Sequence, residues 1–193
     1  MGEHATNRPD LVSRVFHLKL RELLRDLLEE NVLGVVVAYT WTVEFQKRGP
    51  PHAHILLVVR PEDKPRAPEL VDKVVSAELP DKTDPLQARL YAIVSACLLH
   101  GPCGAFAPNM PCMDSSGKCC KGLPCDFEEH TRLPPDRYAA YRRRDNERTV
   151  EKKGCTLDNR WVIPYNPYLT KKYEAHINVH VCTSIRAVKY LYK

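Results

Sequence analysis

Residues 101–124 limit what this 193-residue chain can fold into more than any other stretch. They are rich in Gly, Pro and Cys and carry neither a helical nor a strand-like hydrophobic period. Such a segment buries too little apolar surface to offset the entropy of ordering it, so something else must hold it. The ligands for a metal are at hand. His100, Cys103, Cys112 and Cys119 offer one imidazole and three thiols, a set that zinc takes tetrahedrally and that contributes folding energy. Cys120 and Cys125 are alternatives to Cys112 or Cys119, whereas Cys97, Cys155 and Cys182 fall in apparent helix or strand and read as core residues. The opening residues are polar rather than signal-like, which leads us to expect a reducing compartment, where clustered thiols point to metal before disulfide.

A second constellation lies upstream, in Glu44-Phe45-Gln46-Lys47-Arg48-Gly49-Pro50-Pro51-His52-Ala53-His54, followed by an apolar run. Residues i and i+2 of a strand share a face, so His52 and His54 can reach one metal ion. Gly49-Pro50-Pro51 reads as a turn, and the strand before it has Glu44 or Gln46 at the same alternate spacing to supply an oxygen ligand. On its own, His-x-His is as well explained by two hydrogen-bonded strand histidines.

Around these sites the chain reads as one α+β domain, 1–193, with an inserted Cys/His segment at 100–125. Apolar residues at helical spacing predict an amphipathic helix from about residue 8 to 30. Residues 35–45 and 55–59, rich in β-branched and aromatic types, predict an antiparallel pair in the sheet core. Helices are expected at 68–79 and 85–100, a strand leading into a turn at 161–168, a half-buried strand at 177–181, and a last helix from Ile185 capped by Thr183 or Ser184. The arginine-heavy stretch 132–148 is expected to be exposed. The formal charge of +5 suits a polyanion without demanding one. Arg142, Arg143 and Arg144 beside Tyr138 and Tyr141, and Lys171 and Lys172 beside Tyr168 and Tyr173, are material for a groove that holds single-stranded DNA; a solvated charged face is the plainer alternative. In the final helix, Tyr190 can act as a nucleophile towards a phosphodiester and Lys193, one turn on, can stabilise charge; a core-edge role for the tyrosine is the plainer alternative.

Several blocks, in order, resemble one family. Phe45-Gln-Lys-Arg-Gly-Pro-Pro-His-Ala-His-Ile-Leu-Leu, His100-Gly-Pro-Cys-Gly, Tyr141-Arg-Arg-Arg-Asp-Asn, Asn159-Arg-Trp-Val-Ile-Pro-Tyr-Asn-Pro-Tyr-Leu, His176-Ile-Asn-Val and Ser184-Ile-Arg-Ala-Val-Lys-Tyr-Leu-Tyr-Lys are similar to the replication-initiator (Rep) domain of Helitron transposases, members of the HUH endonucleases. The resemblance implies a palm-like central antiparallel sheet flanked by helices. It implies cleavage of single-stranded DNA with Mg²⁺ or Mn²⁺, leaving a 5′-phosphotyrosine and a free 3′-OH. By position His52 and His54 match the metal ligands, with Glu44 or Gln46 as the third, and Tyr190 matches the first catalytic tyrosine. The family's second tyrosine falls just beyond Lys193, so the sequence reads as a fragment of a larger, nuclear transposase with a helicase domain downstream. A zinc-stabilised DNA-binding module without catalysis is the rival reading.

Overall fold

The computed structural model describes residues 7–45, 50–135 and 138–182. The chain divides into two compact units, Met1–Lys64 and Pro65–Lys193.

In the first unit, α1 spans Pro9–Leu28. Proline at its start costs no hydrogen bond, because the first N–H groups of a helix have no partner in any case, and Asp10 adds a negative charge to the first turn. Leu20 and Leu27, two turns apart, are its buried apolar residues. The helix stops at a turn in which Asn31 (φ 53°) and Gly34 (φ 104°) both take the left-handed region. Gly34 is required there: a Cβ would lie 2.8 Å from that of Asp63, whose carboxylate accepts the Val35 N–H at 2.8 Å. The chain then forms β1, Val36–Glu44, and β2, His52–Val59. The two pair antiparallel with Glu44 opposite His52, Thr42 opposite His54 and Trp41 opposite Ile55.

The second unit is built around α2 (Pro68–Val74), α3 (Ala88–Cys97) and α4 (Pro167–Tyr173). Leu90 and Val94 of α3, one turn apart, pack with Leu79, Leu98, Leu157, Trp161, Val162, Tyr165 and Cys103 in its main core. A second cluster joins Val71 and Val75 to Ala139 and Tyr141. The short hairpin of β3 (Val150–Lys152) and β4 (Cys155–Leu157) turns through Lys153 and Gly154, both at positive φ. Among the described residues no helix is long and apolar enough to cross a membrane.

The α+β class stands, but the architecture differs from expectation in five places. The antiparallel pair expected in a sheet core is formed, yet β1 is largely exposed, with Val37, Tyr39 and Trp41 uncovered. Among the described residues the sheets are two separate two-stranded ones, not a single central sheet. Where a strand leading into a turn is expected at 161–168, the chain has the end of a 3₁₀ turn (Asn159–Trp161), isolated bridges from Val162 and Tyr165, and the start of α4. Pro164 and Pro167 lack the N–H that a continuous ladder needs, and Asn166 caps α4 by accepting the Leu169 N–H at 2.9 Å. Residues 177–181 alternate in burial as expected, yet form no ladder; Val179 N–H donates to Pro164 O at 3.0 Å. The stretch 132–148 is not an exposed run, since Ala139, Tyr141 and Arg143 alternate into the interior. The final helix expected from Ile185, with its cap at Thr183 or Ser184, lies outside the described residues.

Candidate metal centres and basic surface

The Cys-rich segment is shaped by backbone hydrogen bonds that place its thiols. Cys120 N–H donates to Cys112 O at 2.7 Å and Asp114 N–H to Lys118 O at 2.8 Å, closing a tight loop that sets Cys112 beside Cys119. The Asp114 carboxylate accepts from Ser116 N–H and Lys118 N–H, both at 2.9 Å, and fixes the loop's tip. On the other side, His100 N–H donates to Trp161 O at 3.0 Å and ties the segment's start to the core. Gly101 fits because its φ is +103° and a Cβ would meet the Trp161 ring at 2.8 Å. Only glycine allows the chain to pass so close to that ring.

The result is a convergence of His100, Cys103, Cys112 and Cys119, whose ligand atoms all lie within 4.8 Å of one another. His100 Nε2 is 3.3 Å from Cys119 Sγ. Tetrahedral zinc with Zn–S bonds of about 2.3 Å sets neighbouring ligand atoms about 3.8 Å apart, so the quartet fits such an ion with small adjustments. The electrostatics agree. Burial, and then hydrogen bonding with Cys119 and Cys112, pushes the Cys103 thiol up to about 12. Burial also raises the Cys119 thiol, but the N–H groups of Leu123 and Lys121 outweigh it and leave it below its usual range. Burial and then the Lys121 charge keep His100 below its ordinary value, hence neutral and able to ligate. Within the cluster, then, the Cys119 thiol is lowered and the Cys103 thiol raised. This group could hold a metal such as zinc. Cys120 is exposed and the Cys125 thiol faces Gly122 O, so neither joins it. Cys182, expected in the core, is exposed.

The hairpin of the first unit carries the other constellation. Alternation and register put Thr42, Glu44, His52 and His54 on one face. Glu44 Oε2 reaches diagonally to His54 Nε2 at 3.3 Å, with both side chains about half exposed (60% and 46%). His52 shares that face, but among the described residues the one group of three or more converging ligand side chains is the Cys/His quartet. Gln46, the alternative third ligand, lies outside the described residues, as do Tyr190 and Lys193.

The basic residues sort differently from the sequence reading. Arg143 is only 4% exposed; its Nη1 donates to Ala77 O at 3.3 Å, Asn159 O at 2.7 Å and Val162 O at 2.6 Å. It is an internal strut, unavailable to a phosphate, which corrects its assignment to a DNA groove. Arg144 grips Glu78 with two bonds, at 2.9 and 2.7 Å, and Arg142 lies 3.1 Å from Asp72, which also accepts the Thr131 hydroxyl. Burial works against the Glu78 carboxylate, but Arg144 and the Arg142 charge outweigh it and hold it below the usual range. Lys171 donates to Leu86 O at 3.1 Å, while Lys172 sits 6.0 and 5.6 Å from the ring centres of Tyr168 and Tyr173. The sequence reading missed Glu78 and Asp72 as partners, because nothing local marks a carboxylate that meets a guanidinium from 66 or 70 residues away.

Residues 1–57 match a protein-family model described as the Helitron helicase-like domain at the N-terminus. The match takes in α1, β1 and the start of β2 with Glu44, His52 and His54, and supports a relation to Helitron proteins. No curated protein matches the chain.

Proposed function

We propose that this chain serves a Helitron-like transposase as a metal-dependent nicking endonuclease acting on single-stranded DNA. The observation that carries the reading is the shared, exposed face of Glu44, His52 and His54 within the segment similar to Helitron proteins. His52 and His54, with Glu44 as the third ligand, would hold Mg²⁺ or Mn²⁺, which when bound polarises the non-bridging oxygens of the scissile phosphate. The Tyr190 oxygen attacks phosphorus as its hydroxyl loses a proton. The P–O3′ bond breaks, the 3′ oxygen takes up a proton, and the 5′ phosphate stays on the tyrosine. Lys193 offsets charge on the phosphate. Attack by another 3′-OH on the phosphotyrosine reverses these steps and joins strands. In this reading the two-stranded hairpin belongs to the palm-like sheet of the HUH endonucleases, and Zn²⁺ on His100, Cys103, Cys112 and Cys119 has a structural part.

Nicking of a labelled single-stranded oligonucleotide in Mn²⁺ tests the ligand assignment. His54→Ala and Glu44→Gln should each slow cleavage by about 100-fold or more, the scale of losing a cation that stabilises several kcal/mol of transition-state charge. Undiminished cleavage in both variants would remove the hairpin from the site. The Cys/His cluster favours one alternative, a zinc-stabilised DNA-binding module without catalysis; oligonucleotide binding with no cleavage under any divalent ion would select it.

A further inference from the structure

Most arginines of the described residues are already committed. Arg25, Arg60, Arg89, Arg132, Arg148 and Arg160 each close an ion pair with a carboxylate. The run 142–144 is held by Asp72, Glu78 and carbonyl oxygens. A guanidinium engaged in this way must break a bond to take a phosphate. Arg14 and Arg21 differ: both are exposed, and among the described residues neither has a hydrogen-bond or ion-pair partner. Arg66 also lacks one, but lies on the irregular stretch between β2 and α2.

Arg14 and Arg21 are seven residues apart on α1, which places them on one face about 10 Å apart along the axis, with exposed His17 between them. They line a shallow open groove with Asp10, Ser13, His17 and Leu18. The one carboxylate there, Asp10, is 2.9 Å from Arg8 and so is already neutralised, and Glu22 beside the groove is tied to Arg25 at 2.9 Å. We infer that this face of α1 is a contact for the phosphate backbone of single-stranded DNA, supplied by side chains along three turns of helix. The choice of polyanion rests on the nicking function proposed above. Two guanidinium groups in single file suit a linear polyanion, whereas an anionic membrane surface is held by clusters of about 4–8 basic residues. The site takes the place of the arginine run 142–144 as a phosphate-binding element.

The test is oligothymidine binding by the full 193-residue chain, followed by fluorescence anisotropy across a salt series. Arg14→Gln/Arg21→Gln should lower the magnitude of the slope of log K against log salt by about 1.4, that is about 0.7 for each single-strand phosphate that is no longer neutralised. Glutamine keeps helix propensity, so circular dichroism should be unchanged. Arg89→Gln/Arg132→Gln removes the same charge from ion-paired positions and should leave the slope nearly intact. An equal decrease in both double variants, or none in the first, would overturn the inference while leaving the nicking reading standing. Wild-type chain that binds no oligothymidine at any salt would sink both. Weakened binding to phosphatidylserine vesicles with unchanged DNA binding would move the face to a membrane and overturn it too.

Discussion

Removing zinc from the loaded protein, or replacing Cys103 by Ser, is expected to lower stability by about 4–5 kcal/mol and the melting temperature by about 10 °C. Cys103 is 1% exposed and packs in the main core of the second unit, so the metal would tie the loop carrying Cys112 and Cys119 onto Leu98, Leu99 and Trp161. Without it the segment keeps a few backbone hydrogen bonds and little apolar burial, which is too little to hold its own conformation. Cys120→Ser and Cys125→Ser, outside the quartet, should change little. The pH dependence has a definite sign. In the metal-free state the Cys103 thiol is pushed up to about 12, so it is protonated at neutral pH and zinc must displace that proton. Affinity therefore falls as pH falls, about tenfold per unit for each proton displaced. Elemental analysis with a melting curve in chelator checks this. Folded, zinc-free protein with an unchanged melting temperature would exclude a structural metal.

Arg143→Met should cost about 3–5 kcal/mol, more than any substitution at Arg142 or Arg144. The side chain volume is nearly kept, but Ala77 O, Asn159 O and Val162 O lose a charged donor inside the protein. Ala77 lies in the irregular stretch after α2, and Asn159 and Val162 lie in and just after the 3₁₀ turn that seats Trp161, so the effect reaches the wall of the Cys/His site. Denaturant unfolding measures it, and oligonucleotide binding by the folded fraction should be unaffected. A change below about 0.5 kcal/mol would mean that the three carbonyls find other partners, and that the strut is dispensable.

The elements legible in the sequence are those with strong local signals. Leu20, Leu23, Leu24 and Leu27 recur at helical spacing and Pro9–Leu28 is a helix, whereas Leu11, Val15 and Leu18 of the expected apolar side are exposed. The β-branched run before Glu44 and the apolar run after His54 pair as a hairpin, with Glu44 opposite His52. The Cys/His quartet was legible because a coil that cannot order itself, studded with ligands, has few physical solutions. What the sequence hid is non-local. An arginine run looks alike whether it faces water or meets Glu78 and Asp72 from far along the chain, and only the fold distinguishes Arg143 from Arg14. The β3–β4 hairpin has three-residue strands, too short to show alternation, and only Lys153-Gly154 marks its turn. The apolar stretch at 161–168 has strand-like composition, but its two prolines break the ladder.

The measurement that bears most directly on the nicking reading is the covalent adduct. The chain is incubated with a single-stranded oligonucleotide labelled on the 3′ side of the cut and Mn²⁺, then denatured and resolved by size. Tyrosine attack predicts a labelled protein–DNA species, its disappearance in Tyr190→Phe, and a free 3′-OH on the released fragment. Cleavage without any protein-linked DNA, undiminished in Tyr190→Phe, would contradict it and leave water as the nucleophile at the hairpin site.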